Sequence, residues 1–185
     1  MAIPPFVPGG VSFNGNHATP EVTRAIHQAS QRTGVDFKYL VAQAGQESGF
    51  KSDAKASTSS ARGLYQFIDS TWLTMIRDKG AEYGLGDMAD NIDGAPGDFP
   101  RVADPAARKK ILALRDDPAI SASMAAEFAK SNRASLESQL GRNVNGTELY
   151  MAHFLGANGA GRFLSAVDKS PERTGASLLP EAAAA

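Results

Sequence analysis

The residue of this sequence best placed for chemistry is Glu47, in the stretch AGQESGF. Glu47 follows Ala44 by three residues and Leu40 by seven, so it continues the apolar face of a predicted helix that stops at Gly49. A negative charge in the last helical turn opposes the macrodipole, and on an apolar face it also loses hydration. Both effects favour the protonated acid, and a carboxylic acid that stays protonated near neutral pH can serve as a general acid.

Short helices must position this acid, and their start and stop signals are clear. Asp or Thr before a proline or a first-turn acid marks a start, and glycine marks a stop. These signals predict helices from Pro20 toward Gly34, after Asp36, from Asp69 to Lys79, from Pro105 to about Arg115, from Pro118 toward Gly141, from Glu148 toward Gly156, and a last short helix around Phe163. No convincing strand alternation is present, so the predicted class is all-α.

The chain of 185 residues is predicted to hold one compact domain. Residues 1–18 are rich in Pro and Gly and predict an extended or disordered arm, residues 19–168 the domain, and residues 169–185 a tail. The small polar residues 51–62 predict a loop. Residues 84–104 predict a long loop or a one-turn-helix insertion, and loops of that length are more often functional than idle.

Composition narrows the partners and cofactors. With 19 basic and 20 acidic residues, the chain has no electrostatic footprint for nucleic acid or an anionic membrane. The absence of cysteine excludes disulfides and thiolate metal sites, and three histidines spread along the chain predict no metal site and no cofactor. The amino terminus lacks a secretory signal pattern, and no apolar run approaches the roughly 20 residues of a membrane span.

The AGQESGF stretch with Glu47 is the first of three blocks of residues that belong together. Gln66 lies nineteen residues downstream inside GLYQF, Ser57 lies nine residues before Gln66, and ELYMAHFLGANG follows from Glu148 to Gly159. An acid at a helix end, a Ser-rich loop and a Gly-Leu-aromatic-Gln turn together resemble the lysozyme-like lytic transglycosylases of the soluble-lytic type, over about residues 20–168. The MAAEF and AHFLG segments resemble a flagellum- or phage-associated branch of that family.

The resemblance implies a lysozyme-like fold of short helices around a glycan-binding groove. It implies that Glu47 is the catalytic acid and base and that Ser57, Tyr65 and Gln66 contact the substrate. In the third block His153 stands where the family has tyrosine, and it would supply a hydrogen bond in its place. The implied groove is walled by these residues, the 84–104 loop and the ELYMAHFLG helix.

The implied reaction is cleavage of the β-1,4 bond between N-acetylmuramic acid and N-acetylglucosamine in peptidoglycan, with formation of a 1,6-anhydromuramoyl end. The substrate's own groups attack, so no partner carboxylate is needed. Two alternatives stay open: a hydrolytic muramidase with Asp53 or Asp69 as partner, and a non-catalytic peptidoglycan-binding module of a flagellar or virion machine.

Plainer interpretations compete at individual positions. Helical spacing with Ile68 and Met75 favours a core role for Trp72, while Tyr65 is balanced between a core residue and a sugar contact. In an apolar helix, His153 is by default a core histidine.

The implied location is the periplasm or the cell wall, reached after removal of a leader or by specialised export. The implied partners are glycan strands and a flagellar, secretion or phage assembly protein, and we expect a monomer.

Overall fold

A computed structural model describes residues 10–95 and 97–169 and shows a helical architecture with one small hairpin. The strands are β1 (Ser12–Phe13) and β2 (Asn16–His17), and the helices are α1 (Pro20–Thr33), α2 (Phe37–Ser48), α3 (Asp69–Lys79), α4 (Gly86–Ala89), α5 (Pro105–Ala113), α6 (Pro118–Leu140) and α7 (Gly146–Lys169). Single 3-10 turns follow α3 and α5. The predicted all-α class is confirmed.

The helices begin where local capping chemistry places them. The backbone N–H of Val22 donates to the Thr19 side chain at 3.2 Å, and that of Tyr39 donates to the Asp36 carboxylate at 2.9 Å. Such caps satisfy donors that have no partner inside the helix. Asp104 caps α5 in the same way. The predicted starts of α1, α2 and α5 are therefore confirmed.

The start of α7 differs from its predicted position. The capping residue is Asn145, three residues before the predicted first residue Glu148, because its side chain accepts from Glu148 N while the Glu148 carboxylate accepts from Asn145 N. This reciprocal pair is a capping box. The predicted helix break at Gly156 is confirmed, since its φ of 68° and ψ of 157° are not helical.

A β-hairpin precedes α1, in the region predicted to be an arm. Ser12 pairs with His17 and Phe13 with Asn16, and the two turn residues Asn14 and Gly15 have φ values of 48° and 81°. Two positive φ values define the type I′ turn, for which Asn-Gly is the favoured sequence. The hairpin differs from the extended or disordered arm predicted for residues 1–18. Residues 1–9 of the arm and 170–185 of the tail lie outside the described residues.

The chain divides into two compact units, Met1–Glu127 and Phe128–Ala185. In the first unit Trp72 is fully buried and its indole N–H donates to the Ile111 carbonyl at 2.8 Å, so its predicted core role is confirmed. Other fully buried side chains of this unit are those of Ile26, Leu40, Leu64 and Ile76. The predicted single domain over residues 19–168 stays a prediction.

The second unit has its own small apolar core. Its buried members are Leu136, Ala152, Ala160 and Leu164. Leu140, Val144, Met151, Leu155 and Phe163 pack against them. Among the residues that the structure describes, no helix has the length and apolarity needed to cross a bilayer.

Gly63 permits the closest backbone approach in the first unit. Its φ is +84°, and a Cβ at this position would lie 2.1 Å from the carbonyl oxygen of Arg115. The Gly63 N–H donates to the Ala54 carbonyl at 2.8 Å, which fixes this position from a second direction. Both the left-handed conformation and the lack of space therefore require glycine.

We expect Gly63→Ala to lower the free energy of unfolding by about 3 kcal/mol, because backbone strain and a steric clash add. Gly34→Ala is the matched control. Gly34 also has a positive φ, 75°, but nothing lies within 4 Å of its Cβ position, so only the strain of about 1 kcal/mol applies. Chemical denaturation followed by circular dichroism measures both, and equal losses would contradict the close approach.

Candidate active site

Glu47 lies in the last turn of α2, as the sequence predicted. The helix ends at Gly49, which has a φ of 59°, and the preceding apolar face is buried through Leu40 and Ala44. The Glu47 side chain is half-buried, and its Oε1 atom is shielded from solvent. The structure thus places a carboxyl group at a helix end with one oxygen inside the protein.

Hydrogen bonds join the end of α2 to the turn formed by residues 63–67. The Ser48 hydroxyl lies 2.8 Å from the Leu64 carbonyl and 3.1 Å from the Ala44 carbonyl, and its single proton serves one acceptor at a time. The Leu64 contact is the tertiary one. It brings the first and second sequence blocks together.

Gln66 adopts a left-handed backbone conformation in this turn, with a φ of +48°. Its amide nitrogen Nε2 donates to the Gly63 carbonyl at 2.8 Å and to the Ala54 carbonyl at 3.2 Å. Because both neighbours are acceptors, the amide oxygen Oε1 is the atom that remains for another donor. A non-glycine residue in this region is uncommon, and such conformations cluster at functional sites.

Tyr65 is a core residue, which corrects its predicted role as a substrate contact. Its side chain is 1% exposed, and its hydroxyl donates to the Leu40 carbonyl at 3.2 Å. Burial, with a smaller contribution from Tyr39, raises the pKa of the Tyr65 phenol above its ordinary value. A ring enclosed in this way has no surface left for a sugar, and its hydroxyl instead supports α2.

Ser57 lies exposed in the predicted loop between α2 and α3. Its neighbour Ala56 donates its N–H to the Ala61 carbonyl at 3.0 Å, and Lys55 pairs with Arg62 across the same loop. These contacts close residues 56–61 into a narrow loop, and Ser57 lies near the tip of that loop. The loop prediction is confirmed, and the contact of Ser57 with substrate stays a prediction.

Arg115, which the sequence analysis did not select, holds the turn in place. Its side chain is 6% exposed, and Nη1 donates to the carbonyls of Ser60 at 2.8 Å and Phe67 at 2.9 Å. The Asp69 carboxylate lies 2.9 Å from the same nitrogen. Burial lowers the pKa of the Arg115 guanidinium, and the negative charge of Asp69 opposes that change.

Asp53 and Asp69 are the partners of Glu47 in the hydrolytic alternative. Asp69 is held by Arg108 at 2.6 Å and by Arg115 at 2.9 Å, so its carboxylate serves a structural ion pair. Asp53 is exposed in the loop that follows α2. Neither environment resembles that of a carboxylate prepared to activate water.

The 84–104 segment is a loop with one short helix, α4, as predicted. Part of it lines a cleft of about 470 Å³ together with α3 and Arg108, and Phe99, 72% exposed, lies at this cleft. Neither Glu47 nor Gln66 is among the lining residues. Within residues 10–95 and 97–169, no group of three or more His, Asp or Glu side chains is arranged to hold a metal ion.

His153 lies in the second unit, on α7, in a group of aromatic rings. Its ring stacks on Tyr150 with centroids 6.1 Å apart and meets Phe128 edge-on at 6.3 Å. Phe154 touches the rings of Tyr150 and His153 and is 64% exposed. The half-buried His153 therefore combines packing with partial access to solvent, and its predicted contact with Glu47 stays a prediction.

We expect Arg115→Lys to lower the free energy of unfolding by about 3 kcal/mol, because an ammonium group cannot replace the guanidinium at all of these acceptors. Arg108→Lys is the matched control, since Arg108 pairs with the same Asp69 but its side chain is 43% exposed. Arg108→Lys should lower the free energy of unfolding by less than about 1 kcal/mol. Urea denaturation compares the two, and similar losses would show that burial of Arg115 is unimportant.

We expect Ser48→Ala to destabilise the protein by about 1 kcal/mol, the usual value of one hydrogen bond. Ser123→Ala is its control, because the Ser123 hydroxyl also donates to the carbonyl four residues earlier but makes no bond to another segment. That variant should change stability by less than about 0.5 kcal/mol. Thermal unfolding measures both, and an unchanged midpoint for Ser48→Ala would argue against the Leu64 bond.

Comparison with known protein families agrees with this geometry. Residues 24–97 match the family described as Transglycosylase SLT domain. The match includes Glu47, Ser48 and the 63–67 turn, whereas Arg115 and the hairpin lie outside it. The function that accompanies this domain is of the lytic transglycosylase type and is directed at peptidoglycan. Residues 24–97 of this chain are therefore a transglycosylase SLT domain of the lysozyme-like kind.

Proposed function

We propose that the chain cleaves the β-1,4 bond between N-acetylmuramic acid and N-acetylglucosamine in peptidoglycan and leaves 1,6-anhydromuramoyl ends. Glu47 is the general acid and then the general base. The observation that carries this proposal is the position of Glu47 at the end of α2, with Oε1 shielded and the adjacent Ser48 bonded to the turn that holds Gln66.

The reaction uses the acid twice. Glu47 first donates its proton to the glycosidic oxygen, and the bond between that oxygen and C1 of the muramoyl residue breaks. The substrate's acetamido group stabilises C1, and the C6 hydroxyl oxygen then forms the new bond to C1. The Glu47 carboxylate takes the C6 hydroxyl proton and so returns to its starting state. No water is consumed.

A single-acid mechanism is supported by the state of the other carboxylates. The Asp69 carboxylate forms ion pairs with the guanidinium groups of Arg108 and Arg115, and Asp53 is exposed. A base that activates water must have an acceptor oxygen directed at that water. The ion pairs of Asp69 oppose such a role, so we do not favour the hydrolytic alternative.

Polar groups near the end of α2 are suited to a glycan. The Oε1 atom of Gln66 can accept from an acetamido N–H or a sugar hydroxyl, and the exposed Ser57 hydroxyl can donate or accept. We also propose that His153, on α7, contacts the substrate. The Gln66 amide and the Ser57 hydroxyl suit a polar glycan.

The substrate sets the location and the partners that we propose. Peptidoglycan lies outside the cytoplasmic membrane, so the chain would act in the periplasm or cell wall. An association with a flagellar, secretion or phage assembly protein, and a monomeric state, belong to the same proposal and depend on the resemblance of the AHFLG segment.

Glu47→Gln tests the proposal, because it preserves shape and removes the proton donor. We expect at least a 100-fold loss of muropeptide release from purified sacculi with an unchanged thermal midpoint. Glu21→Gln makes the same chemical change at an exposed position of α1 and should keep full activity. Mass spectrometry of the products should find anhydro ends, which are lighter than reducing ends by one water.

Other results would reject parts of this proposal. Retained turnover by Glu47→Gln would remove Glu47 from the mechanism. Reducing ends from the unmodified protein, together with loss of activity in Asp53→Asn, would favour a muramidase. Binding to sacculi without any released product would favour the non-catalytic module.

A further inference from the structure

The hairpin formed by residues 12–17 packs against the end of α2. A Cβ placed on Gly45 would lie 2.7 Å from Cβ and Cδ1 of Phe13 and 2.8 Å from its Cγ. Phe13 therefore occupies the space that any side chain at position 45 would need. The hairpin is in direct contact with the backbone of the helix that carries Glu47.

The contact explains a glycine in the interior of α2. Glycine inside a helix is less stable than alanine by about 1 kcal/mol. Gly45 has no positive φ that would require glycine for conformational reasons. The close approach of Phe13 is the feature that requires it.

A second contact lies at the end of the same helix. The Asn16 side-chain amide is 3.3–3.4 Å from the Cβ position of Gly49, the residue at which α2 ends. The hairpin thus meets α2 two residues before Glu47 and two residues after it. These contacts bracket the turn that carries the acid.

The hairpin lies behind the acid rather than in front of it. Successive residues of an α-helix are about 100° apart, so Gly45 and Glu47 project about 200° apart, from opposite faces. Phe13 covers the face of Gly45, which is opposite to the face of Glu47. A segment placed in this way can hold the helix without obstructing a substrate.

We propose that Phe13 and Asn16 are positioning residues that fix the last turn of α2 and thereby the Glu47 carboxyl group. The inference rests on the proposed catalytic role of Glu47. It makes residues 12–17, which lie outside the matched SLT segment, a working part of the active site. Terminal helical turns fray readily, and a misplacement of about 1 Å at a reacting group can reduce rate about 100-fold.

The test measures kcat and KM of Phe13→Ala, Phe13→Leu and Met75→Ala on soluble, uncrosslinked glycan strands. The temperature is kept well below the thermal midpoint of every variant. We expect Phe13→Ala to lower kcat at least tenfold with KM unchanged within about twofold, because the acid is misplaced while the binding groups remain. Phe13→Leu should recover most of kcat. Met75→Ala truncates a buried side chain of α3 and should keep kcat despite a comparable loss of stability.

Asn16→Ala supplies a milder variant, with an expected fall in kcat of about threefold, should Phe13→Ala fold poorly. Unchanged kcat in Phe13→Ala or Asn16→Ala, or an equal loss in Met75→Ala, would overturn the positioning role.

Hydrogen exchange gives a readout that does not need activity. Amides of residues 45–50 should exchange at least tenfold faster in Phe13→Ala than in Met75→Ala, relative to the unmodified protein. Equal exchange rates would overturn the inference even in an active enzyme. If Glu47→Gln stays active while exchange follows this expectation, the proposed role of Glu47 fails, and the hairpin then holds the helix end without serving catalysis.

Discussion

The structure around the candidate acid depends on one buried charge, the guanidinium of Arg115. Burying a charge is unfavourable unless it is paired and hydrogen-bonded, and Arg115 meets both conditions through Asp69 and the carbonyls of Ser60 and Phe67. Those acceptors belong to the loop, the turn and the start of α3. A single side chain thus joins three segments that are adjacent in sequence.

The turn held by Arg115 contains two residues with positive φ, Gly63 and Gln66. Such a backbone persists only where its surroundings determine it, and here the Arg115 carbonyl packs on Gly63 while the Gln66 amide binds two carbonyls within the loop and turn. The conformation then presents the Leu64 carbonyl to Ser48. The buried Arg115 side chain thus restrains the 63–67 turn, and the turn in its place restrains Ser48, the residue beside Glu47.

A mechanism with one carboxyl group makes a particular demand on a protein. In the mechanism that we propose, no second acid has to be placed at a fixed separation, so accuracy matters mainly at Glu47 and at the groups that would hold the sugar. The contacts around Glu47 come from several parts of the chain. The matched segment 24–97 contains the acid and the turn, but Arg115 and the hairpin come from outside it. The geometry around the proposed acid therefore depends on more of the chain than the matched domain.

Local chemistry decided what the sequence could establish by itself. Caps such as Thr19 and Asp36 act within four residues, so helix starts followed from the sequence, and the apolar spacing before Glu47 located the acid at the end of α2. The hairpin was also within reach, because Asn14-Gly15 is a local turn signal. The hydrogen bond of buried Tyr65 and those of Arg115 were not, since they join residues 25 to 55 positions apart. Only the tertiary structure brings such residues together, because the free energy of those contacts depends on packing that no local pattern encodes.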